Sequence, residues 1–333
     1  MSTVNHHSPN VFASFDPPGQ QAALTSLCSE LFDQQRSTWR KMAEGVASLE
    51  SVRTREIICN GFSVHLQFNP KRIASTGADV DPAVIRRRPC FLCPESLPEE
   101  QQGILYRSEY YILCNPLPIF HRHFTISSVH HVPQDFESSV DVMLDLARDL
   151  GPEYSVFYNG PQSGASAPDH LHFQSSPRLA IPVERDAVDV RRRKRFYYKN
   201  HVAGFTLMDY GRTVVIIESS DNRRLAAYIG RLLAGWKEHL RLAEEPMMNV
   251  LCSYQENIWR LILFPRRKHR PDVYFKDGDA RILISPATVD MGGLIVTPLE
   301  KDFLRVQTKL VEDIFVEVSE GRELVDQILE NIE

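Results

Sequence analysis

Apolar positions recur along this chain with two different periods, and the changes between them outline its elements. From Gln20 to Leu49, the residues Leu24, Leu27, Leu31, Trp39, Met42 and Val46 follow helical spacing, which predicts one or two amphipathic helices. Residues 1–18 are polar, carry Pro9, Pro17 and Pro18, and read as a loose arm. The period then drops to two: EIICNGFSVHLQFNP alternates on both sides of Asn60-Gly61, which predicts a β-hairpin over 55–69. Residues 70–89 read as a connector ending in Arg86, Arg87 and Arg88. Strands are expected over 103–115 and 121–128, a helix with Phe136, Val140, Met143, Leu144 and Ala147 on one face, and strands over 154–159 and 170–174.

The second half repeats that order in outline. A hairpin is expected over 206–218, an amphipathic helix over 222–243, and two strands over 249–265 about a Gln-Glu-Asn turn. Strand candidates near 281–285 and 293–297 and helices over 299–315 and 320–332 close the chain. The expected class is α+β, with two related halves of mostly antiparallel sheet and helices packed on one side. The expected division is an N-terminal arm with helices (1–50), a first half (51–200) and a degenerate second half (201–333).

Chemistry concentrates in SGASAPDHLHFQ, residues 163–174. On a strand His170, His172 and Gln174 face one way and Leu171 and Phe173 the other, so an apolar face can be buried beneath two imidazoles and an amide. Upstream, NGPQSGAS (159–166) brings Gly160, Ser163, Gly164 and Ser166, small residues that let backbone N–H groups approach an anion. A neutral imidazole whose second nitrogen donates to a carbonyl can attack phosphorus, and His172 at the centre of the face is the candidate. Gln174 can donate to a phosphoryl oxygen but cannot titrate, which favours transfer over hydrolysis. A half-buried strand with satisfied histidines is the plainer alternative.

Composition narrows the setting. The 333 residues carry a formal net charge of -5 and a pI near 6.2, which argues against a general nucleic-acid or membrane-surface binder. Neither a signal peptide nor a long apolar run is evident, so the cytoplasm is the expected compartment. Of six cysteines only Cys90 and Cys93 are close in sequence; Cys28, Cys59, Cys114 and Cys252 read as buried small hydrophobes. The pair is half of a tetrahedral zinc site, with His121, His123, His130, His131 and His170 as the stock of further ligands; a redox pair and an unligated turn are the alternatives. Basic runs at 191–199 and 265–270, and Arg72, are candidate anion contacts or solvated faces. Arg266, Arg267, Lys268 and His269 are the stronger part, following a strand and bounded by prolines.

The CFLC turn, the strand ending at His130, Asn159, GAS and HLHFQ together resemble the transferase branch of the histidine-triad superfamily, which includes galactose-1-phosphate uridylyltransferases and the diadenosine tetraphosphate and nucleotide-sugar phosphorylases. The resemblance covers residues 55–176. It implies ping-pong transfer through a nucleotidyl-His172 intermediate, with Gln174 on the phosphoryl oxygens and Asn159 and Ser166, beside Gly164, holding phosphates. It also implies a structural zinc ion on Cys90, Cys93, His130 and His170, with His131 able to replace His130. PRRKHRP (265–271) looks more like the phosphorylase members. Two departures stand out: Trp259 and Leu261 occupy alternate positions where a second histidine strand would lie, and Asp169 stands where the uridylyltransferases have proline. The expected function is nucleotidyl transfer from a nucleotide sugar or dinucleoside polyphosphate to phosphate or a sugar phosphate, by a monomer or homodimer without nucleic-acid or membrane partners. A hydrolase and a non-catalytic nucleotide-binding protein are the alternatives.

Overall fold

The computed structural model describes residues 10–17, 23–77 and 81–332; the rest of the N-terminal arm lies outside the described residues. The strands are β1 (Val11–Phe15), β2 (Arg53–Ile58), β3 (Ser63–Phe68), β4 (Gly103–Tyr106), β5 (Tyr110–Cys114), β6 (Phe124–Ser128), β7 (Tyr154–Asn159) and β8 (His172–Pro177), followed by β9 (Arg193–Lys199), β10 (Val202–Leu207), β11 (Val215–Ser219), β12 (Met248–Gln255), β13 (Ile258–Pro265) and β14 (Leu294–Thr297). Eleven of them form one sheet in the order β1-β4-β5-β6-β8-β7-β12-β13-β11-β10-β9, and the other three form a small sheet, β14-β3-β2.

The doubling expected from the sequence is visible in that order. One half runs β4-β5-β6-β8-β7 from its outer edge inward and the other β9-β10-β11-β13-β12, each with one long helix between its third and fourth strands in chain order, Val140–Leu150 and Asn222–Leu240. The inner strands pair antiparallel with Asn159 opposite Asn249, so the halves share one continuous sheet. Every residue of β7 is buried, as befits a strand covered on both faces.

Strand alternation sorts the core. Val156, Tyr158, Phe173, Val250 and Leu261 pack with the helices Leu24–Thr38, Val140–Leu150, Asn222–Leu240 and Arg322–Glu330. Phe157, Leu251, Ile262 and Phe264 face the other way, against the small sheet and the helix Thr308–Val318. His172 and Gln174 belong to this second face, since Leu171 and Phe173 are taken by the first. Trp259 and Leu261 point into the helix-side core, and Trp259 Nε1 donates to the Leu144 carbonyl at 2.9 Å.

Several expectations are corrected. Val11–Phe15 is not a loose arm but pairs in parallel with β4. The hairpin over 55–69 forms, but in the small sheet, where β3 pairs in parallel with the distant β14, His65 opposite Leu294. Residues 281–285 form no strand. Their backbone groups are satisfied elsewhere, the Ile282 N–H by the Val273 carbonyl and the Leu283 N–H by the Asp302 carboxylate. The helix over 299–315 breaks into Glu300–Arg305 and Thr308–Val318. The basic run at 191–199 becomes the outermost strand β9, where like charges discourage edge-to-edge pairing. All six cysteines are free and buried.

Glu245 ties the helix side to the sheet centre. It accepts hydrogen bonds from the Phe136 N–H and from the Tyr158 hydroxyl, and burial raises its pKa to about 7. A carboxyl raised in the folded state holds a proton that the unfolded chain has released, so stability falls as pH rises from the unfolded value near 4.5 to about 7. Replacing Glu245 with Gln removes this dependence. The difference in Tm between Glu245→Gln and wild type is therefore expected to increase from pH 4.5 to 7; a difference independent of pH counts against it.

Candidate active site and metal centre

The Cys90–Cys93 turn and the approach to β8 meet in a buried knot. His170, just before β8, places Nδ1 3.3 Å from Cys90 Sγ and 3.5 Å from Cys93 Sγ, while its Nε2 donates to the Ser128 carbonyl at 2.9 Å. His131 places Nδ1 3.2 Å from Cys93 Sγ. The four ligand atoms of Cys90, Cys93, His131 and His170 lie within 4.8 Å of one another. Two thiols and two imidazoles suit tetrahedral zinc, and a second-nitrogen donor bond like that of His170 is the usual support of a metal-bound histidine. These residues could hold a metal ion. His130 is not among them: its ring is 70% exposed and sits 3.7 Å from a Glu109 carboxylate oxygen. The two histidines fall in an irregular turn, so strand alternation could not tell which one faces inward.

Two residues on, His172 is 4% exposed and its Nδ1 lies 2.8 Å from the His170 carbonyl. A carbonyl only accepts, so Nδ1 carries the proton and Nε2 keeps a lone pair. Burial lowers the pKa of this ring to about 4, which keeps it neutral. Gln174 comes next along the same face. His123 Nδ1 accepts from the Ile119 N–H at 3.2 Å, so its proton is on Nε2, which donates to Gln174 Oε1 at 2.8 Å. With its oxygen taken, Gln174 turns its NH2 group to the cavity it lines. His123, one of the sequence's ligand candidates, is thus a wholly buried hydrogen-bond donor to Gln174.

The cavity measures about 740 Å³ and is lined by Arg72, Asn159, Gly164, Ser166, His172, Gln174 and His269, together with Lys41, Arg88, Arg270 and Asp290. Its loop is built for close approach. Gly164 has φ +99°, and a Cβ there would lie 2.7 Å from the Ala287 Cβ. The N–H groups of Gly164 and Ser166 have no partner among the described residues. Asn159 Oδ1 accepts from Asn249 Nδ2 and from the backbone and hydroxyl of Thr288. Arg72 Nη1 donates to the Leu117 carbonyl at 2.7 Å. Burial, then Arg270 and Arg266, lower the His269 pKa to about 4.

Two expected phosphate contacts lie elsewhere. Arg266 is 2% exposed and spends every guanidinium nitrogen on the protein: Nε on Val318, Nη1 on Asn249 and Pro286, Nη2 on the carbonyls of Lys268 and His269. It has no donor left for a ligand. Lys268 pairs with Asp272 and Glu317 and does not line the cavity. Arg266 works behind the loop instead: it holds Asn249, whose Nδ2 donates to the Ser163 carbonyl at 2.6 Å.

Gln134 was not foreseen. Beyond the Phe157–Gln174 pair β7 and β8 part, and the Gln134 amide bridges the gap. Its Oε1 accepts from the His172 N–H and its Nε2 donates to the carbonyls of His172 and Asn159. No motif marks it.

The fold has solved relatives. Yeast Ap4A phosphorylase Apa2 aligns over 90% of this chain and 95% of its own at 15% identity, with a TM-score of 0.55. Its complex with AMP aligns over 87% and 96% at 17% identity (TM-score 0.54), and its complex with Ap4A over 87% and 97% at 16% identity (TM-score 0.50). This chain has the Ap4A phosphorylase fold. The resemblance drawn from CFLC and HLHFQ is thereby met at the level of fold. A family model described as a domain of unknown function (DUF4922) matches residues 31–177. Among curated proteins none matches the sequence. No helix among the described residues is long and apolar enough to cross a membrane.

The geometry of the knot separates the adjacent histidines experimentally. Elemental analysis is expected to find zinc lost from His131→Ala and Cys93→Ser and retained in His130→Ala. Zinc retained in His131→Ala and lost in His130→Ala contradicts the assignment.

Proposed function

We propose that this protein is a nucleotidyltransferase of the phosphorylase kind, which cleaves a dinucleoside polyphosphate or a nucleotide sugar and transfers the nucleotide through His172 to phosphate or a sugar phosphate. One observation carries the reading: a neutral, buried imidazole with Nδ1–H on the His170 carbonyl stands beside an amide whose NH2 faces the same cavity. The shared fold supports it, because the yeast enzyme has been solved with AMP and with Ap4A.

In this reading His172 Nε2 attacks the α-phosphorus and a P–N bond forms as the P–O bond to the leaving nucleoside polyphosphate or sugar phosphate breaks. The leaving oxygen belongs to a phosphate, so it departs without a proton donor. The imidazole becomes cationic, with Nδ1–H held against the His170 carbonyl, which stabilises the charge that develops. Gln174 and the free N–H groups of Gly164 and Ser166 donate to the phosphoryl oxygens. In the second step an oxygen of the acceptor phosphate attacks the same phosphorus, the P–N bond breaks and His172 regains its lone pair. Zinc, when bound, would serve structurally, fixing the turn from which His170 leads into β8.

The acceptor is read from products. With Ap4A or a nucleotide sugar as donor, nucleotide release is expected to depend on inorganic phosphate or a sugar phosphate; release at the same rate in their absence identifies a hydrolase instead. His172→Ala is expected to lose turnover, and Gln174→Ala to lower kcat roughly 100-fold, as loss of an oxyanion donor does. A Gln174→Ala enzyme with wild-type kcat contradicts the role given to the amide.

A further inference from the structure

We propose that Asp169 ties the metal centre to the substrate cavity by holding His131 on one carboxylate oxygen and Arg88 on the other, and that Arg88 is an anion-binding residue of the cavity wall. The link rests on the metal and nucleotide readings above. It is not part of what the resemblance implies, since the uridylyltransferases carry proline at this position.

The geometry runs from the knot outward. His131 presents Nδ1 to Cys93 Sγ, which leaves Nε2–H on its far side, 3.7 Å from Asp169 Oδ2. Asp169 Oδ1 lies 3.8 Å from Arg88 Nη2. These are ion-pair separations, longer than hydrogen bonds, so the carboxylate acts through charge and orientation. A carboxylate behind a metal-bound histidine is the arrangement that fixes ring orientation and strengthens the ligand. Two thiolates neutralise a divalent cation, so the centre as a whole is neutral and the charge of Asp169 is left for Arg88 to balance.

Arg88 is held from three sides. Besides Asp169, its Nη2 donates to the Ser166 carbonyl at 3.0 Å, and its guanidinium lies 4.9 Å from the ring centroid of Phe91, between the two cysteines. It lines the cavity with Ser166 and His172. Arg266 exhausts its donors on the protein. Arg88 does not: its Nε and Nη1 have no acceptor among the described residues, and its side chain keeps 25% exposure. A guanidinium positioned by its neighbours, with donors to spare on a cavity wall, suits an anionic phosphate.

The test uses purified wild type, Asp169→Asn, Asp169→Ala, Arg88→Gln and the double variant Asp169→Ala/Arg88→Gln. Two readouts are taken: Zn2+ affinity by competition with a chromogenic chelator, and AMP affinity by calorimetry. Asp169→Ala and Asp169→Asn are both expected to weaken Zn2+ binding, by about 10- to 100-fold, because each removes the carboxylate charge behind His131. Arg88→Gln should leave Zn2+ binding unchanged and weaken AMP binding roughly 10-fold. Asp169→Ala should also weaken AMP binding, and the double variant should bind AMP no worse than Arg88→Gln, because the carboxylate acts there through the arginine. If Asp169→Ala does not fold, Asp169→Asn carries both readouts. Wild-type Zn2+ affinity in the Asp169 variants, wild-type AMP affinity in Arg88→Gln, or additive losses in the double variant overturn the proposal. Failure of the wild type itself to bind Zn2+ or AMP overturns the underlying readings as well, which sets that case apart.

Discussion

The hydrogen bond from His172 Nδ1 to the His170 carbonyl, 2.8 Å long, is the interaction on which the site depends. It joins His170, just before β8, to His172, the first residue of β8, so it needs no distant partner to form, but it has a fixed length only if the backbone at 170 is fixed. Three contacts secure that backbone. The His170 ring is inserted among the cysteines and anchored to the Ser128 carbonyl. Gln134 clamps the backbone of His172 to that of Asn159 where β7 and β8 part. Leu171 and Phe173 are locked into the helix-side core. The sidedness of a strand thus converts core packing into an aimed nitrogen.

The doubled sheet explains why one site draws on both halves. Asn159 and Asn249 face each other where β7 meets β12, and Asn249 reaches back to the Ser163 carbonyl while Arg266 holds Asn249 from behind. The second half thus supports the 160–166 loop of the first. A fully satisfied buried arginine is costly to leave unpaired, and this ties the position of the loop to the ends of β12 and β13. Thr288 completes the bracing by donating to Asn159 Oδ1 with both its backbone and its hydroxyl.

The parts of this arrangement that the sequence exposes are the local ones. Period-two alternation at 170–174 placed Leu171 and Phe173 in the core and His172 and Gln174 opposite, and the Cys90–Cys93 spacing located the knot. What stayed hidden depends on contacts that no local pattern encodes. The parallel pairing of β3 with β14 joins residues more than two hundred positions apart. His130 and His131 differ only in which way an irregular turn faces. Arg266 looked like a ligand contact because its neighbours are basic, and only its five carbonyl and amide acceptors reveal a structural role. Gln134 acts through hydrogen bonds to His172 and Asn159 and His123 through one to Gln174, partners distant in sequence, and such relations leave no trace in spacing.

The central claim, that His172 carries the transferred nucleotide, is tested most directly by trapping the donor half-reaction. Wild-type protein incubated with the nucleotide donor in the absence of acceptor and then digested is expected to yield one modified peptide. That peptide contains His172, its mass is greater by one nucleoside monophosphate unit, and the modification is lost in acid and kept in alkali. A modification mapped to another residue, or turnover without any adduct at His172, would contradict the account.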